Sequence, residues 1–166
     1  MSTDFDDPRF TAIGLLAEVY TGLTNRFAAQ LEKHRLSGVE FEVLMRLARS
    51  PGRRLRMTDL AAQTSLSTSG VTRVVDRMER DSLVCRQACP SDRRSSFAVI
   101  TSAGLTRLEE VIPEHLELLQ QWFIGQLTPD QLDALLSSLR ILRDAVNPCA
   151  TAGSSGPDQE SVATRS

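Results

Sequence analysis

Residues 64–84 read TSLSTSGVTRVVDRMERDSLV, and their reading decides the fold. Ser65 and Leu66 make a tight turn. Ser67 is an N-cap candidate, because a serine hydroxyl accepts from the orphan amides of a helix start. Val71, Val74, Val75 and Met78 then recur at i, i+3, i+4 and i+7, the spacing of one buried helical stripe. The opposite face carries Ser69, Thr72, Arg73, Asp76, Arg77 and Arg80, and the helix ends near Asp81 and Ser82. Upstream, a short helix is expected from Thr58, which can cap it, to Thr64, with Leu60 and Ala61 inward. Downstream, residues 83–88 and 96–100 are short and rich in β-branched or apolar residues. They flank CPSDRRS, a loop by composition. This reads as a hairpin with arginines at its tip. Short helix, tight turn, amphipathic helix and basic hairpin are the parts of a winged helix-turn-helix.

Helices surround this unit. From Arg9, Ile13, Leu16, Tyr20, Leu23, Phe27 and Leu31 recur at three and four residues, with Leu15 and Val19 widening the apolar face. A helix this long and this broadly apolar needs more partners than one small bundle offers, so a contact between two copies is expected here. Ser37-Gly38-Val39-Glu40 is a capping box that opens a second helix to about Arg49, with Phe41, Leu44, Leu47 and Ala48 inward. Ser50-Pro51-Gly52 stops it. Thr101 caps a helix of about 24 residues reaching Gln126, with Leu105, Leu108, Ile112, Leu116, Leu119 and Phe123 on its stripe. Pro113 is expected to kink it. Thr128-Pro129-Asp130-Gln131 is a second capping box. It opens a last helix with Leu132, Leu135, Leu136, Leu139, Leu142 and Val146 inward, closed by Asn147 and Pro148.

The expected fold class is mainly α with a small β-hairpin wing, a winged helix-turn-helix plus dimerisation helices from both termini. The expected divisions are a disordered start (1–8), an N-terminal dimerisation helix (9–36), a winged helix-turn-helix DNA-binding domain (37–100), C-terminal dimerisation helices (101–147) and a disordered tail (148–166).

Composition agrees with a soluble globular chain: 166 residues, 41% apolar and 24% charged. No apolar run approaches the roughly 20 residues of a membrane span. The acidic start MSTDFDD lacks the pattern of a signal peptide. These features point to the cytoplasm and to no membrane partner. The net charge of −2 is uneven. Residues 51–100 hold nine arginines and five acids, so the middle carries +4 and the remainder −6. A basic middle between acidic ends suits a polyanion.

Duplex DNA fits that description. A helix enters the major groove and reaches base edges with its N-terminal half. Ser67, Thr68, Ser69 and Gly70 are small enough for close approach. Arg73 and Arg77 lie one turn apart and can grip a guanine edge or clamp a phosphate, while Asp76 is expected to orient an arginine. At the hairpin, Arg94, or else Arg93, suits a narrow minor groove, with Asp92 holding a guanidinium in place. Arg86, at the base, is expected to meet the DNA backbone.

Residues 64–84 resemble the recognition helix of the MarR (multiple antibiotic resistance regulator) family. SDRRSSFAVITSAG, residues 91–104, is similar to that family's D-x-R wing, second wing strand and following helix start. The resemblance spans roughly residues 10–146. It implies a homodimer with interlocked terminal helices and two projecting winged helices. It places recognition-helix contacts on Ser67, Thr68, Ser69, Thr72, Arg73 and Arg77, and wing contacts on Asp92 and Arg94. It also implies a sequence-specific transcriptional regulator, a repressor released by a small ligand, on a pseudo-palindromic operator with half-sites about 10 base pairs apart. Two features depart from the family pattern. Ser82 stands where glycine is common after the recognition helix, and Cys85 and Cys89 lie in the wing.

Other readings rest on fewer residues. A redox-responsive regulator would use Cys85, Cys89 or Cys149, with Cys89 near Arg86, Arg93 and Arg94. The peroxide-sensing branch of the family carries its cysteine near the start of the first helix, where this chain has none. His34 and His115, with Glu114 and Glu117, show no metal-ligand spacing. Tyr20, Phe27, Phe41 and Trp122 can line a ligand cleft or plain core. No hydrolase, nucleotide-binding or zinc-protease motif is present, so neither an enzyme nor a cofactor is expected. The serious rival is a winged-helix protein-interaction module without specific DNA binding.

Overall fold

The structure is a computed structural model, and it describes residues 5–89 and 92–151, with the side chains of residues 92–94 and 151 left aside. Six α-helices and three strands follow in the order α1 (Pro8–Lys33), α2 (Gly38–Ala48), β1 (Arg54–Arg56), α3 (Met57–Gln63), α4 (Thr68–Arg80), β2 (Val84–Cys89), β3 (Asp92–Ile100), α5 (Ser102–Trp122) and α6 (Pro129–Val146). The strands form one antiparallel sheet in the order β1-β3-β2. No helix among the described residues is long and apolar enough to cross a membrane.

Most helix starts follow from local chemistry. Ser37 accepts from the Glu40 amide while the Glu40 carboxylate accepts from the Ser37 amide, and Thr128 and Gln131 repeat the arrangement. Thr101 accepts from the Gly104 amide. Gly104 is required there, because a Cβ would sit 2.2 Å from the Leu83 carbonyl oxygen. Ser82 ends the α4 turn with φ 59, the left-handed region that glycine would adopt without strain.

The core lies in the middle of the chain. Val43, Leu44 and Leu47 of α2, Leu60 of α3, Val71, Val75 and Met78 of α4, Val84 and Ala98 of the sheet and Val111 of α5 are fully buried together. Val74 packs against them at the edge.

Several expectations are corrected. Thr58 does not cap α3. Arg56 is held by pairing with Phe97, so the helix starts directly after it at Met57. The sheet has a third strand, β1, because Leu55 buries itself beside Ala98 while its arginine neighbours face water. Cys89 already pairs with Asp92, so residues 92–95 belong to β3 and not to a loop. α5 runs through Pro113 and stops at Trp122, with a 3-10 turn at Ile124–Gln126 beyond it. The chain does not loosen at residue 148. Pro148–Thr151 forms a 3-10 turn, Ala150 is buried, and its carbonyl accepts from Arg46 Nη1 at 2.9 Å. The inward stripe expected of α6 is not buried within the chain, and the α1 stripe is likewise partly uncovered. Ile13, Leu16, Tyr20, Leu142 and Val146 are exposed, and no residue of α6 is buried.

Candidate nucleic-acid interface

The start of α4 is a small polar platform. Ser67 Oγ accepts from the Gly70 amide at 3.1 Å and lies 3.1 Å from Ser69 Oγ. Thr72 Oγ1 donates back to the Thr68 carbonyl at 2.8 Å. Ser67, Thr68, Ser69 and Thr72 are all exposed. With about 3.6 residues per turn, Ser69, Arg73 and Arg80 share the ridge opposite the buried Val71, Val75 and Met78. Thr72 and Asp76 fall on one flank and Arg77 on the other.

Each flank is braced by ion pairs. On the α2 side, Arg77 Nε donates to Glu40 Oε1 at 2.5 Å. Glu40 is buried, and its Oε2 accepts from the Ser37 amide and the Ser37 hydroxyl, both at 2.8 Å. Burial pushes the Glu40 carboxyl up. The Ser37 amide, the Arg77 guanidinium and the Ser37 hydroxyl outweigh burial and hold it below the usual carboxylate range.

On the other flank, the Arg86 guanidinium pairs with Asp76 at 2.7 Å and with Glu79. The Arg86 amide donates to Glu79 Oε1 at 2.8 Å. Arg86, expected at the DNA backbone, thus has two acidic partners on α4. Asp76 and Glu79 sit three residues apart on one α4 flank and take up its charge, so Arg86 ties β2 to the helix. Asp76 does orient an arginine, and that arginine is Arg86. Arg73 is exposed and makes no ion pair among the described residues.

The backbone of Asp92, Arg93 and Arg94 opens β3, directly after the pair Cys89–Asp92 that ends the hairpin; the side chains of these three lie outside the described residues. The expected cluster thus divides three ways: an exposed platform with Arg73, an Arg77 anchored on Glu40, and an Arg86 paired with Asp76 and Glu79. Sequence reasoning missed Glu40 as the Arg77 partner. The capping box was visible, but the arginine taken by its second oxygen lies 37 residues away. It also missed Arg54 and Arg56, whose guanidinium carbons stand 4.8 and 5.7 Å from the Phe97 ring centroid.

A second polar cluster lies between α1, α2 and α5. The buried His115 ring stands 4.8 Å from that of Phe27 and 4.5 Å from that of Phe41. Its Nδ1 donates to Gln30 Oε1 at 3.1 Å, and Gln30 Nε2 donates to the Val111 carbonyl at 3.1 Å. Burial pushes the His115 imidazole below its ordinary value. Phe27 and Phe41 thus serve the packing of this histidine, Tyr20 is exposed, and Trp122 lies under Arg26 at 3.6 Å. Among the described residues, no group of three His, Cys, Asp or Glu side chains is placed to hold a metal ion. Cys89 is buried and Cys149 exposed. Cys85 and Cys89 lie four residues apart on β2, roughly 13 Å along a strand, which is beyond disulfide reach.

Comparison with known proteins places this geometry. The MarR family model matches residues 36–96. AbsC, a MarR family transcriptional regulator from Streptomyces coelicolor, is 35% identical, with a TM-score of 0.78 over 84% of this chain and 95% of that one. Sco3205, a MarR family transcriptional regulator from the same organism solved in complex with DNA, is 33% identical, with a TM-score of 0.77 over 83% of this chain and 87% of that one. BpsR of Bordetella bronchiseptica, whose DNA binding is regulated by 6-hydroxynicotinic acid, is 25% identical, with a TM-score of 0.71 over 81% of this chain and 99% of that one. A winged helix with a braced α4, long terminal helices around it and these relatives give one conclusion: the chain belongs to the MarR family of transcriptional regulators.

Proposed function

We propose that the protein is a homodimeric, sequence-specific duplex-DNA-binding repressor that a small ligand releases. The observation that carries this is the α4 surface. Its N-terminal serines and threonine are exposed, and Arg73 stands on the outward ridge without an ion pair among the described residues. That surface suits a major groove. Its likeness to Sco3205, which was solved on DNA, supports the same partner here. In this reading residues 37–100 bind DNA, with Ser67, Thr68, Ser69, Thr72, Arg73 and Arg77 at the major groove and, in the wing, Asp92 with Arg93 or Arg94 at the minor groove and Arg86 at the backbone. Residues 9–36 and 101–147 pair two copies, which supports a pseudo-palindromic operator. Release by a ligand is supported by the likeness to BpsR.

Selection of bound sequences from random duplex, followed by anisotropy titration over a salt series, tests this reading. The expected result is a two-fold-symmetric site whose affinity falls steeply with salt. Arg94→Ala is expected to lower the salt slope by roughly one ion, and Arg73→Ala to change sequence preference if it reads a base. No duplex binding in dilute buffer would leave the protein-interaction module as the better reading.

A further inference from the structure

Arg77 is anchored at one end and open at the other. Its Nε is bonded to Glu40, yet the side chain is 49% exposed while that of Glu40 is 8% exposed. The two Nη groups have no partner among the described residues. The acceptor is fixed as well. Glu40 Oε2 is held by two bonds from Ser37, so the carboxylate is part of the α2 cap and cannot follow the arginine into solvent. A guanidinium held by Nε keeps its planar fork aimed in one direction, whereas an unheld arginine must order several rotamers when it binds. Arg73, one turn earlier on the same helix, has no such anchor among the described residues.

We propose that Glu40 is a positioning residue for duplex binding: its cap-seated carboxylate grips Arg77 by Nε and aims the two Nη groups at a phosphate or base edge beside α4. This rests on the duplex-binding reading above. It makes a prediction opposite in sign to simple electrostatics. Removing a negative charge near a polyanion should tighten binding. Removing a positioning carboxylate should weaken it.

The test uses the full chain and the duplex recovered by selection, with affinities measured for wild type, Glu40→Gln, Arg77→Ala, Arg77→Lys and the Glu40→Gln/Arg77→Ala double variant. Glu40→Gln is expected to weaken binding about tenfold. In the Arg77→Ala background the same change is expected to do nothing beyond about twofold, because there is no guanidinium left to aim. Arg77→Lys leaves the cap intact, so it stays informative if Glu40→Gln melts the fold. Lysine has one ammonium, which Glu40 occupies, so this variant is expected to bind like Arg77→Ala.

The proposal is overturned if Glu40→Gln binds as well as or better than wild type, if its loss persists without Arg77, or if Arg77→Lys matches wild type. Wild type that binds no duplex at all overturns the underlying reading, and this inference with it. That result is distinct from a wild type that binds and a Glu40 variant that makes no difference.

Discussion

Leu44 on α2 and Leu142 on α6 both sit on the apolar stripe of an amphipathic helix, yet the first is fully buried and the second is 53% exposed. The same contrast separates two regions. In the winged helix, α2, α3, α4 and the sheet close over each other, and their large apolar residues meet inside one chain. On α1 and α6, Ile13, Leu15, Leu16, Val19, Tyr20, Ile141, Leu142 and Val146 face outward. An isolated chain therefore completes its centre but leaves its ends uncovered. A patch of this kind marks an interaction surface, in keeping with the pairing of two copies proposed above.

The same substitution at the two leucines sharpens that contrast and carries the largest expected effect. Leu44→Ala removes a packed side chain and is expected to lose about 2–5 kcal/mol of folding stability. Denaturant titration reads that loss, and below its transition the variant should sediment with the stoichiometry of wild type. Leu142→Ala is expected to do the reverse. The fold persists while self-association weakens, seen as a sedimentation coefficient that falls on dilution. Equal self-association in Leu142→Ala and wild type would mean that this face covers nothing.

The contrast also explains what was legible in the sequence. The stripe of α4 and the caps at Ser37, Ser67, Thr101 and Thr128 depend on neighbours within one helical turn, and the structure shows them as read. The third strand was not legible, because three residues are too few to show alternation and the partner of Leu55, Ala98, lies far along the chain. The inward assignment of α6 rested on a stripe that defines a face but not what covers it. At the candidate interface, residue types and their exposure on α4 were readable. The ion pairs were not, since Arg77 could be taken as outward until Glu40 appeared on the neighbouring helix.

A smaller effect is expected at Ser82, which joins α4 to β2 with a left-handed backbone. A non-glycine residue there costs roughly 1 kcal/mol. Glycine relieves that strain but makes the unfolded chain more flexible, which offsets part of the gain. Ser82→Gly is therefore expected to raise stability by up to about 1 kcal/mol in denaturant titration, without changing self-association. A loss of stability would show that the turn tolerates serine and that the strain argument fails.

The smallest effect lies at the seam between the two regions, where α5 presents His115 to Phe27 of α1 and Phe41 of α2. Burial lowers the imidazole pKa from its ordinary value of 6.5, so the unfolded chain takes up the proton first. The contribution of this group to stability is therefore whole above pH 6.5, falls as pH drops below it, and levels off only beneath the folded-state value. Glu114, the nearby carboxylate, is already bonded to Lys33 Nζ at 2.7 Å and faces His34 at 4.0 Å, so it offers His115 no counter-charge by contact. Glu40 is held below the usual carboxylate range by Ser37 and Arg77, so its charge does not change in the same window. Melting at about pH 7.5 and about pH 5.5 should show a larger drop for wild type than for His115→Phe, which keeps an aromatic ring between the two phenylalanines but cannot take a proton. The comparison is between the two drops, because the variant also loses the bond to Gln30 at either pH. Equal drops would mean that His115 takes up its proton equally well in the folded and unfolded chain, and that burial at the seam does not lower its pKa.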